Sequence, residues 1–419
     1  MSIADFSGRV RPDACPGALQ VHEAADGPLA RVRLPGGAIS SGRLRELAAC
    51  ASGLGSGVIE LTSRANVQVR GLRSPAAFAE RIAAAGLLPS AAHERVRNIV
   101  ASPLGGRGSA GPLPTQPLVE ALDRELCALP RLAGLPGRFL FAVDDGTGDM
   151  PGLGADVTYV GGRLLLAGVD AGLAVPADEA VGRMIAAAEA FLDERESSAG
   201  ERAAWRIGEL VDGPGRIAAR LGSGGSGHAA PALPAAPAPR PALPAAPAPR
   251  PALPAAPAPR PALPTTPAPR AGRVGQRDGR VALEAVVPLG RLSAGQARAV
   301  AEVAATSGEA PVRFTPWRTV VLLDLPPAAA DRTARALAAA GLVTDPASPW
   351  AGVSACTGRP GCAKALADVQ EDARRWVATL EAAPERPVHW AGCERRCGLP
   401  RGPVVQMVAT GDGYQERQQ

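Results

Sequence analysis

The sequence predicts an α+β fold made by duplication, with one compact unit used twice on either side of a disordered proline- and alanine-rich linker. Three observations carry that expectation. The stretch Leu34-Pro35-Gly36-Gly37-Ala38-Ile39-Ser40-Ser41-Gly42 aligns with Val287-Pro288-Leu289-Gly290-Arg291-Leu292-Ser293-Ala294-Gly295, an offset of 253 residues from Pro35 to Pro288. The same offset pairs Thr62 with Thr315, Val67 with Val320 and Leu72 with Leu325, and two residues of slippage bring 83–87 onto 338–342. Between the copies, GSGGSG at 222–227 leads into four decapeptides over 231–270, three reading PALPAAPAPR and the last PALPTTPAPR. Proline fixes φ and lacks an N–H donor, so this segment is expected to run as solvated polyproline II, a spacer.

Each copy reads as strand, helix, strand, helix. Residues 29–34 alternate apolar and polar as a half-buried strand does, and Ser40 or Ser41 can cap a helix running to Cys50. Two β-rich runs, 58–61 and 67–69, follow around a turn, and Ser74-Pro75 opens a helix that stops at Gly86. A β-rich stretch comes next, with strands at 138–143, 156–160 and 163–167, then an amphipathic helix over 177–194. The expected divisions are 1–112, 113–220, a linker at 221–280, 281–349, and a cysteine-bearing unit at 350–419.

At 419 residues the chain is long enough for several cores, and its apolar content is 46% with no run long enough to span a bilayer. The first residues, MSIADFSGRVRPDACPG, carry Asp5 and no apolar stretch, which reads as a cytoplasmic start without a secretory signal. The formal charge is +5, yet basic residues are spread along the chain and aromatics are only 3%. A nucleic-acid interface needs a basic patch with stacking platforms, so that class is excluded. Neither a membrane nor an obligate second copy is implied, and a monomer is expected.

Four of the seven cysteines cluster near the end, as C-x5-C (Cys356 to Cys362) and C-x3-C (Cys393 to Cys397), 30 residues apart. In a reducing compartment such a group favours metal over disulfides. Structural zinc prefers shorter knuckles, whereas thiolates on glycine- and proline-bearing loops suit a [4Fe–4S] cluster. A helical pattern over 363–380 and a short strand at 388–390 lie between the pairs. Cys15, Cys50 and Cys127 lack such partners, and Cys50 reads as core.

These features resemble the sulfite/nitrite reductase superfamily, which pairs a [4Fe–4S] cluster with sirohaem on duplicated ferredoxin-like half-domains. The resemblance implies a pseudo-twofold arrangement of those half-domains with sulfite/nitrite-reductase-like α/β domains, the first of which binds a tetrapyrrole. Leu61-Thr62-Ser63-Arg64-Ala65-Asn66-Val67-Gln68-Val69-Arg70-Gly71 looks like the family's tetrapyrrole-binding strand, and Arg97-Asn98-Ile99 like its second arginine motif. The ring carries many carboxylates, which guanidinium groups bind bidentately. On that resemblance Arg64, Asn66, Gln68, Arg70, Arg97 and Asn98 are the expected ring contacts, and Cys356, Cys362, Cys393 and Cys397 the cluster ligands. In a reductase of this kind Cys397 would bridge to the sirohaem iron.

Departures from the pattern point elsewhere. The reductases use a lysine pair after a Leu-Pro, but here that stretch reads Leu135-Pro136-Gly137-Arg138-Phe139-Leu140-Phe141, and Lys364 is the sole lysine. Arginine keeps its proton and is a poor acid. The T-S-R-A-N-x-Q-x-R-G version matches the precorrin-3B synthase branch of the aerobic cobalamin pathway. That resemblance implies a monooxygenase converting precorrin-3A to precorrin-3B with O2, by hydroxylation at C20 and γ-lactone closure. It also implies a mononuclear non-haem iron beside the cluster, and no sirohaem. Gly53-Leu54-Gly55-Ser56-Gly57 precedes a strand and is a poor dinucleotide fingerprint, so electrons are expected from a separate NADH-linked reductase or ferredoxin. The four histidines offer no facial iron triad; Asp144 and Asp145 are the carboxylates at a strand end. The alternatives are a sirohaem-dependent sulfite or nitrite reductase, and an iron–sulfur carrier or tetrapyrrole-binding protein.

Overall fold

The computed structural model describes residues 15–197, 204–223, 271–307 and 310–418, so the decapeptide repeats lie outside the described residues. The first copy comprises β1 (His22–Ala24), β2 (Gly27–Val32), β3 (Ala38–Ile39), α1 (Ser41–Leu54), β4 (Val58–Leu61), β5 (Val67–Val69) and α2 (Pro75–Ala84). The Ser40 and Ser74 hydroxyls accept from the Arg43 and Ala77 N–H groups, so both expected helix caps form. An α/β unit follows: β6 (Ile99–Ala101), α3 (Thr115–Ala128), β7 (Phe141–Val143), β8 (Val157–Val160), β9 (Arg163–Leu166), β10 (Val169–Ala174), α4 (Ala180–Ser197) and α5 (Gly213–Ser223). Because β6 joins this sheet, the unit begins ahead of residue 113.

The second copy holds β11 (Gly272–Gly275), β12 (Val281–Val286), β13 (Arg291–Ser293), α6 (Ala294–Ser307), β14 (Val312–Phe314), β15 (Thr319–Leu325) and α7 (Pro327–Ala339). The last unit holds β16 (Val353–Ala355), α8 (Val369–Val377), β17 (Val388–Ala391), β18 (Val405–Ala409) and β19 (Tyr414–Gln418). Among the described residues no helix is long and apolar enough to cross a membrane.

The two copies complete each other's sheets. The first sheet runs β1-β2-β5-β4-β13 and the third runs β11-β12-β15-β14-β3, so each copy lends one short strand to the other. Leu292 sits opposite Ile59 in one, and Ile39 opposite Val312 in the other. Helices α1 and α6 cover these sheets, and Leu44, Leu47, Ile59, Leu292, Val300, Phe314 and Val320 share one core that spans both copies. The duplication reaches backbone detail. Ala65 and Arg318 both have positive φ (57° and 61°), as do Gly37 and Gly290 (67° and 69°), each pair at the 253-residue offset.

The α/β units repeat as well. In the first, β6, β7 and β8 are parallel and β9 antiparallel; in the last, β16, β17 and β18 are parallel and β19 antiparallel. The helix expected over 363–380 is shorter, Val369–Val377, because Asp368 accepts from the Glu371 N–H as an N-cap. The residues before it instead fold back onto the cysteine loops, with the Leu366 N–H on Gly392 O at 2.7 Å.

Two positions test how the copies are joined. At Gly37 a Cβ would lie 1.9 Å from Phe314 O of the other copy, on a backbone with φ +67°. Gly37→Ala should therefore destabilise by roughly 2–4 kcal/mol, measured by denaturant unfolding. Arg107 grips Asp324 bidentately, both bonds 2.7 Å, tying the first α/β unit to the second copy. This guanidinium holds the Asp324 carboxyl below its ordinary value. A depressed folded pKa stabilises above the unfolded value of ~3.9 and is lost as pH falls through the folded one. Asp324→Asn should cost about 1–3 kcal/mol near neutrality, with the gap from wild type closing in acid unfolding curves below ~pH 3.9.

Candidate functional site

Parallel strands carry the cysteines. Ser354 pairs with His389 and Ala355 with Trp390, which brings the carboxyl ends of β16 and β17 side by side. Cys356 follows β16 at once, and Cys393 follows β17 after a single glycine. Open parallel sheets bind ligands at this end of their strands. The loops interlock: the Cys356 N–H donates to Trp390 O at 2.9 Å, and the Gly392 N–H donates to Cys356 Sγ at 3.1 Å. A Cβ at Gly392 would meet Ala365 Cβ at 2.7 Å, so only glycine lets them touch.

The four thiols share one electrostatic neighbourhood. Burial pushes Cys356 up, and the charges of Cys397 and Cys362 push it further, against N–H groups of Gly392 and Gly358. Burial likewise raises Cys397, followed by Cys393 and Cys362. Thiolates that burden one another in this way need a cationic centre between them. Among the described residues, the only acidic, histidine or cysteine group drawn within 4.8 Å is Asp144, Asp145 and Asp149. No three of the described sulfurs therefore lie within 4.8 Å of one another, wider than the ~3.8 Å set by a single tetrahedral zinc with Zn–S bonds of ~2.3 Å.

On the side of Cys397 several arginines sit close to one another. Arg64, on the turn between β4 and β5, donates to Gly137 O at 3.2 Å. Burial, then the like charges of Arg206 and Arg31, lower its guanidinium to about 10. Arg33 is lowered well below its ordinary value by burial and then by Arg31; its bonds go to the Pro16 and Arg95 carbonyls. Arg401 is lowered by burial and by Arg206, which itself pairs with buried Asp156 at 2.6 Å. Arg138 is exposed, lies over the Trp205 ring at 5.1 Å, and its charge reaches Cys397. None of Arg33, Arg64, Arg318 and Arg401 has an ion-pair partner among the described residues. Arginines outnumber the carboxylates near them, an arrangement that suits an anionic ligand. A separate depression of about 500 Å³ on α1 and α2, lined by Ser40, Arg43, Glu46 and Arg81, contains none of these groups.

The motif residues divide. Arg64 lies near Arg31 and Arg206. Asn66 and Asn98 are buried and bond to each other at 3.1 Å; Asn98 also holds Gly137 O at 3.0 Å, and so positions the Arg138 turn. Gln68 accepts from Arg31 at 2.9 Å. Arg70 grips Asp26 bidentately and Gly361 O at 2.6 Å, inside the first cysteine loop. Arg97 is committed to Asp123 on α3 through two bonds of 2.7 Å. Sequence reasoning missed Arg31 and Arg33. Their signal was available, since they alternate with the core residues Ala30, Val32 and Leu34.

A family model, the nitrite/sulfite reductase ferredoxin-like half domain, matches residues 22–78 and 274–340. Each copy of the repeat is thus similar to that half domain. The chain is 29% identical to a ferredoxin–nitrite reductase of Synechococcus elongatus, over 89% of this chain and 74% of that one. A ferredoxin sulfite reductase of Mycobacterium tuberculosis is 35% identical over 23% of this chain and 18% of its own. The solved structure of the Mycobacterium tuberculosis NirA protein superposes with a TM-score of 0.71 at 22% identity, covering 93% of this chain and 73% of that one. It shares the fold.

These findings overturn the expected conversion of precorrin-3A with O2, because the relatives are named as ferredoxin-dependent nitrite and sulfite reductases. The expected absence of sirohaem falls with it. The absent lysine pair removes two acids, while the neighbouring guanidinium groups can still hold an anion. Asp144 and Asp145 do converge with Asp149, but Asp144 already accepts from the Gly146, Gly148 and Met150 N–H groups, and Asp145 from Thr147. Both Asp144 oxygens and Asp145 Oδ1 are committed to the loop.

Arg97 and Arg64 should separate by stability. Arg97→Gln leaves the half-buried Asp123 unpaired and should cost about 1–3 kcal/mol. Arg64→Gln removes a desolvated cation and should leave the melting temperature of the ligand-free protein unchanged or raised.

Proposed function

We propose that this chain is a ferredoxin-dependent reductase of a small oxyanion, nitrite first, with a [4Fe–4S] cluster on Cys356, Cys362, Cys393 and Cys397 and sirohaem against the neighbouring arginines. The carrying observation is that two interlocked cysteine loops open beside arginines that lack carboxylate partners. Nitrite ranks ahead of sulfite because the likeness to the nitrite reductase runs through 89% of the chain. Sirohaem, when bound, would supply the iron at which the oxyanion is reduced, with the cluster passing on electrons.

The chain's own residues do the rest. Arg31, Arg33 and Arg64 lie on one side of the half-domain sheet and would pair with ring carboxylates. Cys397 is the exposed member of the quartet and would hold the cluster on the side that faces the sirohaem. Arg138, exposed near Cys397, and Arg401 would hold the substrate by charge. Guanidinium does not release its proton near neutrality, so protons would come from water rather than from these groups. Exposed Arg359, Lys364 and Arg395 on the cysteine loops give an acidic electron donor a basic face to dock against.

Spectra and turnover of the purified protein test this reading. We expect tetrapyrrole absorption together with iron and acid-labile sulfide, and consumption of nitrite faster than sulfite with reduced ferredoxin. Arg64→Gln should lower tetrapyrrole content at least tenfold while leaving the cluster. A full cluster without tetrapyrrole, and without loss of either oxyanion, would sink it.

A further inference from the structure

Each half-domain reaches one cysteine loop through one arginine. Arg70, at the end of β5, donates to Gly361 O at 2.6 Å between Cys356 and Cys362. Arg318, on the turn between β14 and β15 of the second half-domain, donates to Gly398 O at 2.7 Å, directly after Cys397. The two clamps differ in charge. Arg70 is neutralised by Asp26 through two bonds of 2.8 Å. Arg318 has no ion-pair partner among the described residues.

The acidic group that Arg318 feels most is Glu60, and Glu60 already pairs with Arg291 at 2.7 Å and lies 3.9 Å from Arg70. The neighbouring His389 is fully buried and shares a hydrogen bond with Ser354 at 2.9 Å. Burial lowers Arg318 only to about 10, which leaves it charged at pH 7.

The backbone points the same way. Arg318 has φ +61°, a conformation that costs a residue with a Cβ of order 1 kcal/mol and persists where surrounding contacts demand it. Its stem packs over Gly290, where a Cβ would lie 2.4 Å from Arg318 Cδ. The copy equivalent to Arg318 in the first half-domain is Ala65, at φ +57°, so the clamp is a property of the second half-domain.

We propose that Arg318 is a positioning residue that fixes the Cys393–Cys397 loop and holds an uncompensated positive charge beside the cluster, raising its reduction potential. This rests on the reading that the four cysteines hold an iron–sulfur cluster. A negatively charged cluster is easier to reduce near a fixed cation, because the added electron is stabilised in a site of low dielectric.

The test is a redox titration of the full-length protein followed by electron paramagnetic resonance, with iron and sulfide measured on each sample. At the ambient potential that half-reduces wild type, Arg318→Gln should lower the reduced-to-oxidised ratio about tenfold, a shift of ~59 mV for one electron. Arg318→Lys keeps the charge and should stay within about twofold of wild type. The charge-neutral pair Asp26→Asn with Arg70→Gln removes the other clamp and should reduce cluster loading without moving the potential of what remains. Arg318→Gln with full iron and a wild-type ratio would overturn the proposal. Should Arg318→Gln lose its iron, the lysine variant decides: a loaded, wild-type titration supports the proposal, and a second loss overturns it. Wild type that takes up no iron and sulfide would overturn the cluster reading itself, and the proposal with it.

Discussion

The exchange of short strands between the two half-domains is the constraint on which the other features rest. β3 contributes two residues and β13 three, too few to stand alone, yet each closes the partner's sheet. Because the loan is reciprocal, neither half-domain can complete its sheet without the other, and the core they share is continuous. The turn that carries Arg64 and the turn that carries Arg318 are thereby held as a related pair. Loop-closure entropy grows only slowly with length, so two copies that share a core tolerate the long proline-rich insert between them.

From this pair of turns the molecule builds two different edges. Thr62 and Thr315 brace their turns in the same way, each accepting from a backbone N–H two residues on. Beyond the brace the copies diverge. In the first, the turn sends Arg64 toward Arg31 and Arg206; in the second, Arg318 reaches the cysteine loop. The α/β units show a parallel divergence. At the carboxyl ends of β6 and β7, Ser102 bonds to Asp149 at 2.6 Å and to the Asp145 N–H at 3.0 Å. At the matching ends of β16 and β17 stand Cys356 and Cys393. One copy closes its strand ends with hydrogen bonds, and the other leaves thiols there.

Much of this was legible in the residues themselves. The cysteine spacing, the two capped helices and the 253-residue repeat are local or self-referential signals, and a sequence displays them directly. What stayed hidden were partners far along the chain. Nothing around Arg97 shows that Asp123 takes its donors, and nothing around Arg70 shows that Gly361 lies within reach. Arg318 was hidden by register, because in the repeat it falls opposite Ala65 instead of Arg64. The two-residue β3 is too short to show a period. The lysine count misled for another reason: it reports one kind of proton donor and says nothing of the charge that a site assembles from several elements.

The central claim is that the four cysteines and the neighbouring arginines form one composite redox site. An anomalous difference map at the iron absorption edge, from crystals of the protein as purified, tests it most directly. The account predicts iron density enclosed by Cys356, Cys362, Cys393 and Cys397, and a separate iron between Cys397 and Arg64. Iron found at Asp144, Asp145 and Asp149, with none among the cysteines, would contradict it.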